Sequence, residues 1–375
     1  MIKHIHVIAF DLPWPPNYGG STDMYFKLDS LHKLGIRITL HVFLYDGKCE
    51  SEDLKSTVDE LHYYPRKRLN PFIGKIPYIV KTRISEQLFQ RLLQDNSPIL
   101  FEGLHTTFYA NHPLLKDRIK VVRAHNVEHN YYEALALAED SWLKRIFFRL
   151  EAKRLKSYEK VLNQVNAIAA ISPMETSYFQ NQYGNASYIP AFHSNEKVIS
   201  KVGNGLTVLY HGNLSVPENS RAALFLVEKV FPFLKMPCII AGSRPSAKLV
   251  KAIGKSKNIS LFSNVPSDEI LELIQDAQIN VLVTFQSTGI KLKLLNSLYR
   301  GRFIVANTPM VEETDLDDLC TVADEPHEII QAINTIFQSS FNESEVLKRQ
   351  QKLDLVFNNH ENAVKLAKLM GSADR

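Results

Sequence analysis

The segment INVLVTFQSTGIKLKLLNSLYRGRFIVANT, residues 279–308, decides the fold of this chain. It opens with the β-branched run INVLVTF and closes with FIVANT, and the stretch between them has the apolar spacing of a helix. Near-continuous apolar strands that are joined by a helix indicate a βαβ unit in a parallel sheet covered on both faces. The segment therefore predicts an α/β fold.

The same alternation of short apolar runs and amphipathic stretches extends in both directions. The predicted strands are HIHVIAF, IRITLHVF, PILFEG, IKVVRA, AIAAIS and SYIPAF before the polar segment 193–205, and LTVLYHG, PCIIAG, NISLFS, INVLVTF, FIVANT and CTVAD after it. We interpret residues 193–205 as a linker between domains. The pattern predicts two Rossmann-like domains, 1–192 and 206–355, with parallel sheets facing each other across a cleft, followed by a C-terminal helix over 356–375.

The amino-acid composition favours a globular protein and gives no sign of a nucleic-acid partner. Of 375 residues, 45% are hydrophobic and 22% charged, which is typical of a soluble globular protein. The net charge of +4 is too small to indicate a nucleic-acid partner. Cys49, Cys238 and Cys320 are far apart and lie in or beside apolar stretches, which favours free thiols in a reducing compartment. The N-terminal residues lack a signal-peptide pattern and no apolar run is long enough to cross a membrane, so we expect a cytoplasmic protein.

Polar groups follow several predicted strands, where α/β sheets bind ligands. Asp11 and the loop PWPPNYGGST come after the first strand, and Gly19-Gly20 before a Ser21 or Thr22 helix cap would suit an anion, or simply a tight turn. Glu102 and His105 follow PILFEG; a carboxylate there faces a polar cleft or is solvated at its rim.

His125 and Asn126 follow the strand IKVVRA and belong to HNVEH, which has the H-x-x-E-H spacing of a metalloprotease zinc site. That site needs both imidazoles on one helix face, whereas His125 directly follows a strand and Asn, Val and His are weak helix formers. A histidine in a cleft is favoured here, with a hydrogen-bonded structural histidine next. We predict no bound metal.

The second half has its own polar strand ends, with Gly212 and Asn213 in YHGNLSVPEN and Gly242 and Arg244 in AGSRPS. After INVLVTF, a Ser287 or Thr288 cap, Gly289 and then Lys291 in the first helical turn follow. A lysine at the positive end of a helix is unfavourable unless an anion is present. These residues predict a diphosphate site, against the alternative of a solvated lysine.

Two segments combine basic and apolar residues and could contact a membrane surface. Residues 66–91 contain Arg66, Lys67, Arg68, Lys75, Lys81, Arg83 and Arg91, and the second segment is SWLKRIFFRLEAKRLKSYEK. Either segment is compatible with peripheral contact to an anionic membrane at the inner face of the cell membrane, and either is compatible with a solvated helix face.

Four segments together resemble the group 1 family of retaining, nucleotide-sugar-dependent glycosyltransferases, which includes glycogen-synthase-like and lipid mannosyltransferase-like enzymes. They are PWPPNYGGSTDMYFKLDSLHKLGIRITL; RAHNVEHNYYE with EAKRLKSYEKV and AIAAIS; YHGNLSVPENSRA; and STGIKLKLLNSLYRGRFIVAN. Their order and spacing cover essentially the whole chain. The resemblance implies the glycosyltransferase-B fold, in which two Rossmann-like domains flank a cleft. It also implies that the C-terminal helix over 356–375 crosses back to the first domain.

The resemblance also implies roles for particular residues. His125 would contact the transferred sugar, and Lys291 would hold the donor diphosphate, so both are candidate catalytic residues. The leaving diphosphate would be stabilised by protein groups, so no metal and no cofactor other than the nucleotide-sugar co-substrate is expected. The candidate donor site comprises Gly19, Gly20, Gly212, Asn213, Arg244, Asn264, Val265, Pro266, Thr288, Gly289, Ile290, Lys291, Lys293 and Asn296, with Asn264, Val265 and Pro266 by the base. The candidate acceptor side comprises Asp11, Tyr18, Glu102, His105 and Asn126.

The chain departs from the family at four charged positions. The family's Arg and Lys after the first strand of the second domain correspond to Asn213 and Asn219, and its two glutamates around the phosphate helix correspond to Thr288 and Asn296. An amide at Asn296 can still hydrogen-bond a diol. Loss of both cations removes charge that would stabilise a departing diphosphate, a contribution on the order of several kcal/mol. Lys291, Lys293 and Arg244 are the candidates to replace it.

Four hypotheses follow. The first is a retaining glycosyltransferase that moves a sugar from a nucleoside diphosphate sugar to a glycan or lipid-linked acceptor, in the synthesis of surface polysaccharide or glycoconjugate. The second, motivated by the four replacements, is a non-catalytic glycosyltransferase-like subunit that binds a glycan or a partner enzyme. A nucleotide-sugar epimerase with the same fold is the third, although the N-terminal motif fits transferases better. A metalloprotease is the fourth.

Overall fold

The computed structural model describes residues 2–45, 50–139, 141–285 and 291–371. The chain forms two compact units. The N-terminal unit comprises Met1–Ser194 together with Phe357–Arg375, and the C-terminal unit comprises Asn195–Val356. The first division between units thus falls at the start of the polar segment 193–205.

The N-terminal unit is built on a parallel sheet of seven strands in the described residues, ordered β3-β2-β1-β4-β5-β6-β7. The order reverses direction between β1 and β4, which makes the carboxyl ends of these two strands the point where such sheets bind ligands. The strands are β1 (His4–Ala9), β2 (Arg37–Leu44), β3 (Glu60–Pro65), β4 (Ile99–Glu102), β5 (Lys120–Ala124), β6 (Ala167–Ala170) and β7 (Ala186–Tyr188).

Helices cover both faces of this sheet. They are α1 (Gly19–Lys33), α2 (Tyr78–Lys81), α3 (Glu86–Leu92), α4 (Glu128–Ala138), α5 (Trp142–Tyr158) and α6 (Pro173–Tyr183), with short 3-10 helices at Glu52–Ser56, Leu104–Tyr109, Pro113–Leu115 and Glu159–Gln164. Alternate residues of β1 enter different cores because side chains alternate across a strand. Ile5, Val7 and Ala9 lie in one core, and Ile8 in the other.

The C-terminal unit has a parallel sheet of six strands within the described residues, ordered β10-β9-β8-β11-β12-β13. Its switch point lies between β8 and β11. The strands are β8 (Val208–His211), β9 (Cys238–Gly242), β10 (Ile259–Ser263), β11 (Ile279–Leu282), β12 (Phe303–Ala306) and β13 (Thr321–Val322). The helices are α7 (Pro217–Lys229), α8 (Ala247–Ile253), α9 (Ser267–Asp276), α10 (Leu292–Arg300), α11 (Thr308–Val311), α12 (Pro326–Ile336) and α13 (Glu343–Val356), with 3-10 helices at Phe231–Phe233 and Asp317–Leu319.

The last helix, α14 (Asn359–Gly371), belongs to the N-terminal unit. It contributes Ala363, Leu366, Ala367 and Met370 to the core formed by β1, β2 and α1. The last helix therefore completes a core that begins at the other end of the chain.

The prediction of two Rossmann-like domains with parallel sheets is confirmed, and the structure adds β3, which the sequence analysis did not predict. β3 is an edge strand that pairs only with β2 among the described strands, and its side chains are mostly half-buried or exposed. An edge strand needs no continuous apolar run, so its pattern was too weak to detect.

Two predicted helix starts are wrong in detail. The N-cap residue of helix α1 is Tyr18, which precedes the two predicted caps, Ser21 and Thr22, by three and four residues. Ser21 lies inside the first turn, where its Oγ accepts the Tyr18 backbone N–H at 3.2 Å. Helix α10 starts at Leu292 with Lys291 as its N-cap residue. The predicted caps Ser287 and Thr288 lie outside the described residues.

Candidate active site

The loop after β1 brings together Asp11, Tyr18, Gly19 and Gly20 at the switch point of the N-terminal sheet. The Tyr18 hydroxyl donates to Asp11 Oδ2 at 3.0 Å, and Asp11 Oδ1 accepts the Leu12 backbone N–H at 2.8 Å. A Cβ at Gly20 would lie 3.0 Å from a Tyr18 ring carbon, so a larger residue there would displace the tyrosine. The loop is thus closely packed around the start of α1.

Beneath this loop lies a fully buried network of charged side chains. Lys27 Nζ contacts Asp23 Oδ2 at 2.9 Å and the two carboxylate oxygens of Glu102 at 2.8 and 2.9 Å. Arg123 donates to both oxygens of Asp23, at 3.0 Å from Nε and 2.7 Å from Nη2. Burial alone would raise the pKa of both carboxyls, but Arg123 and Lys27 hold the Asp23 pKa far below its ordinary value, and Lys27 and His125 lower that of Glu102. The network is therefore charged and internally neutralised.

Glu102 is therefore not exposed on the acceptor side, where the sequence analysis placed it. The side chain is completely buried, and besides Lys27 its carboxylate contacts His125, whose Nε2 lies 3.1 Å from Oε2. Because a carboxylate can only accept, Nε2 donates in this hydrogen bond, and the neutral tautomer of this form has Nδ1 as its acceptor. His125 Nδ1 is buried and has no hydrogen-bond partner in the described structure. Of the two ring nitrogens of His125, Nε2 therefore has a hydrogen-bond partner and Nδ1 has none in the described structure.

His105 and His125 flank the ring of Phe10. His105 stacks on Phe10 with ring centroids 4.8 Å apart, and His125 meets it edge-on at 5.6 Å. His105 Nδ1 is also buried without a hydrogen-bond partner among the described atoms and lies 3.8 Å from Glu128 Oε1. Asn126, between His125 and α4, is half-buried. The two histidines and Phe10 thus share one small region after β1, β4 and β5.

Glu128, whose Oε1 lies 3.8 Å from His105 Nδ1, was not predicted as a site residue. It lies at the start of α4, and burial raises the pKa of its carboxyl to about 8, with Arg83 opposing the shift and Glu159 adding to it. Arg83, which the sequence placed in a basic surface segment, is buried instead and donates to the Phe10 carbonyl at 2.9 Å and the Tyr45 hydroxyl at 3.0 Å.

The H-x-x-E-H spacing does not form a metal site here. His125 lies before α4 and contacts Glu102, whereas His129 lies within α4 and its Nδ1 is 3.1 Å from Glu159 Oε2. Glu159 also accepts the hydroxyls of Tyr178 and Tyr183 at 2.7 and 2.9 Å. The two imidazoles contact different carboxylates, Glu102 and Glu159, and do not point to one metal position.

In the C-terminal unit, Gly212 and Asn213 follow β8 and face the end of β9. Gly242 has φ +158, and a Cβ there would lie 1.8 Å from the Gly212 carbonyl oxygen, so only glycine fits. Asn213 Oδ1 accepts from Ser215 Oγ at 2.7 Å and Ser243 Oγ at 3.0 Å. The two loops are therefore tied together closely.

The loops after β9 and β10 hold Arg244 and the residues predicted to lie by the nucleotide base. Arg244 and Asn264 both have positive φ, 50 and 59°, and the Arg244 backbone N–H donates to Asn264 Oδ1 at 2.8 Å. Strained non-glycine residues of this kind concentrate at functional sites. Val265 and the N-cap residue Pro266 follow at the start of α9.

Lys293 is held inside the first turn of α10. Its ammonium donates to Asn219 Oδ1 and lies 5.2 Å from the centroid of the Tyr210 ring. Asn219 in turn donates to the Asn213 carbonyl at 2.9 Å. Burial lowers the Lys293 pKa to about 8, with Glu218 opposing this shift and Lys291 adding to it. Lys293 and the loop after β8 thus form one connected group.

The remaining donor candidates are only partly described. Thr288, Gly289 and Ile290 lie outside the described residues, and Lys291 is the half-buried N-cap residue of α10. Asn296, on the same helix, accepts from Asn195 Nδ2 at 2.9 Å. The donor candidates Gly212, Asn213, Arg244, Asn264, Lys291 and Lys293 all follow, or lie next to, strand ends at one edge of the C-terminal sheet.

The sequence analysis missed Asp23, Lys27 and Arg123. One signal was available, because Arg123 interrupts the apolar strand IKVVRA and a buried strand arginine requires a carboxylate partner. Its partner Asp23 lies 100 positions away in the chain, and no local pattern identifies it.

Three solved structures resemble this chain throughout its length. They are WaaG, a glycosyltransferase involved in lipopolysaccharide biosynthesis (11% identity, TM-score 0.65, 98% of this chain and 100% of that one); Anabaena HepE in complex with UDP and glucose (12%, 0.64, 99% and 100%); and TarM (12%, 0.65, 99% and 99%). At this level of identity the likeness concerns the fold, and it shows that the chain has the glycosyltransferase-B fold.

Part of the sequence matches a known protein family. The family described as "Glycosyl transferases group 1" matches residues 205–339. These residues lie in the C-terminal unit, and the match confirms the resemblance found in the sequence. A Klebsiella pneumoniae protein described as an "Uncharacterized 44.6 kDa protein in cps region" is 27% identical over 323 residues, 81% of this chain and 82% of that protein.

Proposed function

We propose that the protein is a glycosyltransferase that moves a sugar from a nucleoside diphosphate sugar to a glycan or lipid-linked acceptor, with retention of anomeric configuration. The family match of residues 205–339 carries this proposal, because that unit holds the strand-end loops expected to bind the donor. HepE, which shares the fold, was solved with UDP and glucose.

On the donor side, Lys291 is the proposed ligand of the diphosphate. It immediately precedes α10, whose first backbone N–H groups and positive end favour an anion. Lys293 lies two residues on, and its contact with Asn219 places its charge beside the loop after β8. Two ammonium groups next to a helix N-terminus would stabilise the negative charge that develops on a leaving diphosphate, without a metal in the proposed reaction.

On the sugar side, His125 is the proposed contact of the transferred sugar. Glu102 holds its Nε2, so Nδ1 is left to accept a hydrogen bond from a sugar hydroxyl. Glu102 is itself fixed by Lys27, and Lys27 by Asp23. Glu102 acts here as a positioning residue, and the rigid network beneath it would keep the imidazole in one orientation.

The acceptor is proposed to be a surface polysaccharide or its lipid-linked precursor. The Klebsiella relative is described as lying in a cps region, and WaaG as acting in lipopolysaccharide biosynthesis. Asp11, Tyr18, His105 and Asn126, at the switch point of the N-terminal sheet, are the proposed acceptor-side residues.

A surface on α4, α5 and the loop before α2 is proposed to contact an anionic membrane. Leu137, Trp142 and Ile73 are exposed to 80, 67 and 66%, and Phe72 contacts Phe147 of α5 with ring centroids 6.3 Å apart. The loop before α2 and helix α5 also carry exposed basic residues, namely Lys67, Arg68, Lys75, Lys144, Arg149 and Lys153. Exposed apolar and basic side chains on the same segments suit a bilayer interface. No helix in the described ranges has both the length and the apolarity that spanning a bilayer requires.

If this surface binds a membrane, the wild-type protein should float with anionic vesicles in a density gradient. The Trp142→Glu variant should no longer float with them.

The competing function is a non-catalytic subunit, and one observation favours it. Asn213 and Asn219, at the positions of the family's two cations, bond to each other and to neighbouring groups. If the donor site is inactive, the protein should bind no nucleotide.

The proposed function is tested by Lys291→Ala. Loss of this ammonium should weaken donor binding and lower turnover together, by about a hundredfold in kcat/KM, because it removes charge stabilisation of the diphosphate. Release of nucleoside diphosphate from a donor sugar, in the presence of glycan or lipid-linked acceptors, is the measurement. Lys248→Ala, an exposed lysine of α8, is the matched control. Wild-type kinetics in Lys291→Ala would remove the phosphate role.

A further inference from the structure

A second cluster of ligand-type side chains lies on the N-terminal sheet, away from the strand ends just described. His4 and His6 occupy alternate positions of β1, so both imidazoles lie on the same face of the sheet. Asp95 lies beyond α3, in the segment that leads into β4. One atom from each of the three, His4 Nδ1, His6 Nε2 and an Asp95 oxygen, lie within 4.8 Å of one another.

The two imidazoles converge on one carboxylate oxygen of Asp95. Asp95 Oδ2 is 3.1 Å from His6 Nε2 and 3.4 Å from His4 Nδ1. In a tetrahedral zinc site with Zn–N and Zn–O bonds of about 2.0–2.2 Å, two ligand atoms are about 3.3–3.5 Å apart. These two separations are therefore close to those that an ion would impose.

The second ring nitrogen of each histidine already has a hydrogen-bond partner. His6 Nδ1 contacts His41 Nε2 at 2.9 Å, and His41 Nδ1 contacts the Tyr64 hydroxyl at 2.9 Å. His4 Nε2 contacts Thr39 Oγ1 at 2.8 Å. Such outer contacts fix the tautomer and orientation of metal-binding histidines.

Asp95 is oriented in the same way. Its Oδ1 accepts the Ser97 backbone N–H at 2.8 Å and lies 3.3 Å from Arg118 Nη2 and 3.2 Å from His6 Nε2, whereas Oδ2 contacts both histidines. Burial is the main cause that lowers the pKa of His4 and of His6. About a third of the Asp95 side chain, 36%, is exposed, which gives an ion a path from solvent.

Two features oppose binding. His4 Nδ1 also contacts Ser97 Oγ at 2.9 Å and would exchange that bond for the ion. Arg118 places a positive charge next to Asp95. Both reduce affinity, so we expect binding in the micromolar range, and hydrogen bonding alone is the competing interpretation of the cluster.

We propose that His4 Nδ1, His6 Nε2 and Asp95 Oδ2 bind one zinc ion, with water as the fourth ligand, at the amino-terminal end of β1. Two imidazoles and one carboxylate are a ligand set that zinc accepts. The site lies at the opposite end of β1 from Asp11 and the Gly19-Gly20 loop, so its role is to stabilise the N-terminal unit, separate from sugar transfer.

The test is titration of the chelator-treated full chain with Zn²⁺ by calorimetry, and with Co²⁺ by visible absorption. We expect one saturable equivalent, and an intense tetrahedral Co²⁺ spectrum, in the wild type. Asp95→Asn should weaken this binding by at least about tenfold, whereas Asp117→Asn, an exposed carboxylate of the same unit, should not.

His4→Gln provides a second variant if Asp95→Asn proves unstable, and it should lose the same equivalent. Absence of saturable binding in the wild type would overturn the proposal, as would an Asp95→Asn or His4→Gln protein that keeps wild-type affinity. Neither readout depends on transferase activity.

Discussion

His125 is fixed from one side only. Glu102 accepts from Nε2 at 3.1 Å, while Nδ1 is buried and lacks a partner in the described structure. An unsatisfied buried acceptor carries a desolvation cost of about 1–3 kcal/mol, which a ligand hydroxyl would relieve. At the scale of single residues, the proposed contact between His125 and a sugar hydroxyl rests on this atom.

His125→Ala should therefore lower turnover by about a hundredfold and change nucleotide affinity by less than about threefold, because the lost contact is to the sugar. Steady-state kinetics and calorimetric nucleotide titration measure the two quantities. His112→Ala, a histidine of the same unit outside the site, should behave as wild type. If His125→Ala instead unfolds the protein with no separate loss of turnover, His125 is structural.

Glu128 should make stability depend on pH. Its pKa of about 8 in the folded chain lies above its ordinary value near 4.5, so between these values the folded state holds a proton that the unfolded state has lost. Its contribution to stability is full below pH 4.5 and is lost as the pH rises through about 8, by up to about 1.4 kcal/mol per pH unit.

Glu128→Gln cannot ionise, so its stability relative to wild type should increase from about pH 5 to about pH 8. Urea denaturation at several pH values measures the difference between the two proteins. The exposed Glu133→Gln should keep a constant difference from wild type. Parallel curves for Glu128→Gln and wild type would show that Glu128 is ionised in the folded chain.

At the scale of elements, the C-terminal helix α14 is part of the first core of the chain. Leu366 and Met370 are fully buried in the cluster that also contains Met24 and Leu28 of α1. Removal of one large side chain there leaves a cavity that close-packed neighbours fill only partly.

Leu366→Ala should lower the free energy of unfolding by about 2–5 kcal/mol. Denaturant unfolding followed by circular dichroism measures the loss. Leu355→Ala, at a leucine of α13 that is 77% exposed, is the matched control and should stay within about 0.5 kcal/mol of wild type. Equal stability of the two variants would mean that α14 does not stabilise the core.

Elements with strong periodicity were predictable from the sequence, and those without it were not. β11 and β12 are buried strands with near-continuous apolar sequences, so they were found at once. β3 was missed because half-buried side chains of an edge strand show no such run. Helix α1 starts at Gly19, and Ser21 bonds back to the Tyr18 backbone from inside the first turn, so neither Ser21 nor Thr22 is the cap.

At the scale of the whole molecule, strand-end positions were predictable and partnerships were not. The rule that ligands bind at the carboxyl ends of parallel strands located His125, Gly212 and Arg244 correctly at strand ends. The partners of Glu102 come from α1 and from the loop after β5, far apart in sequence, so only the folded chain shows that this carboxylate is buried and neutralised.

The central claim is that the C-terminal unit is a functional donor site despite Asn213 and Asn219 in place of two cations. The most direct measurement is a thermal-shift screen of the wild-type protein against UDP, GDP, ADP, CMP and their common sugar conjugates. Binding at about 100 times Kd adds about 2.7 kcal/mol, so one nucleotide and its sugar conjugates should raise Tm by several degrees. A folded sample whose Tm changes with none of them would contradict the claim and favour the non-catalytic subunit.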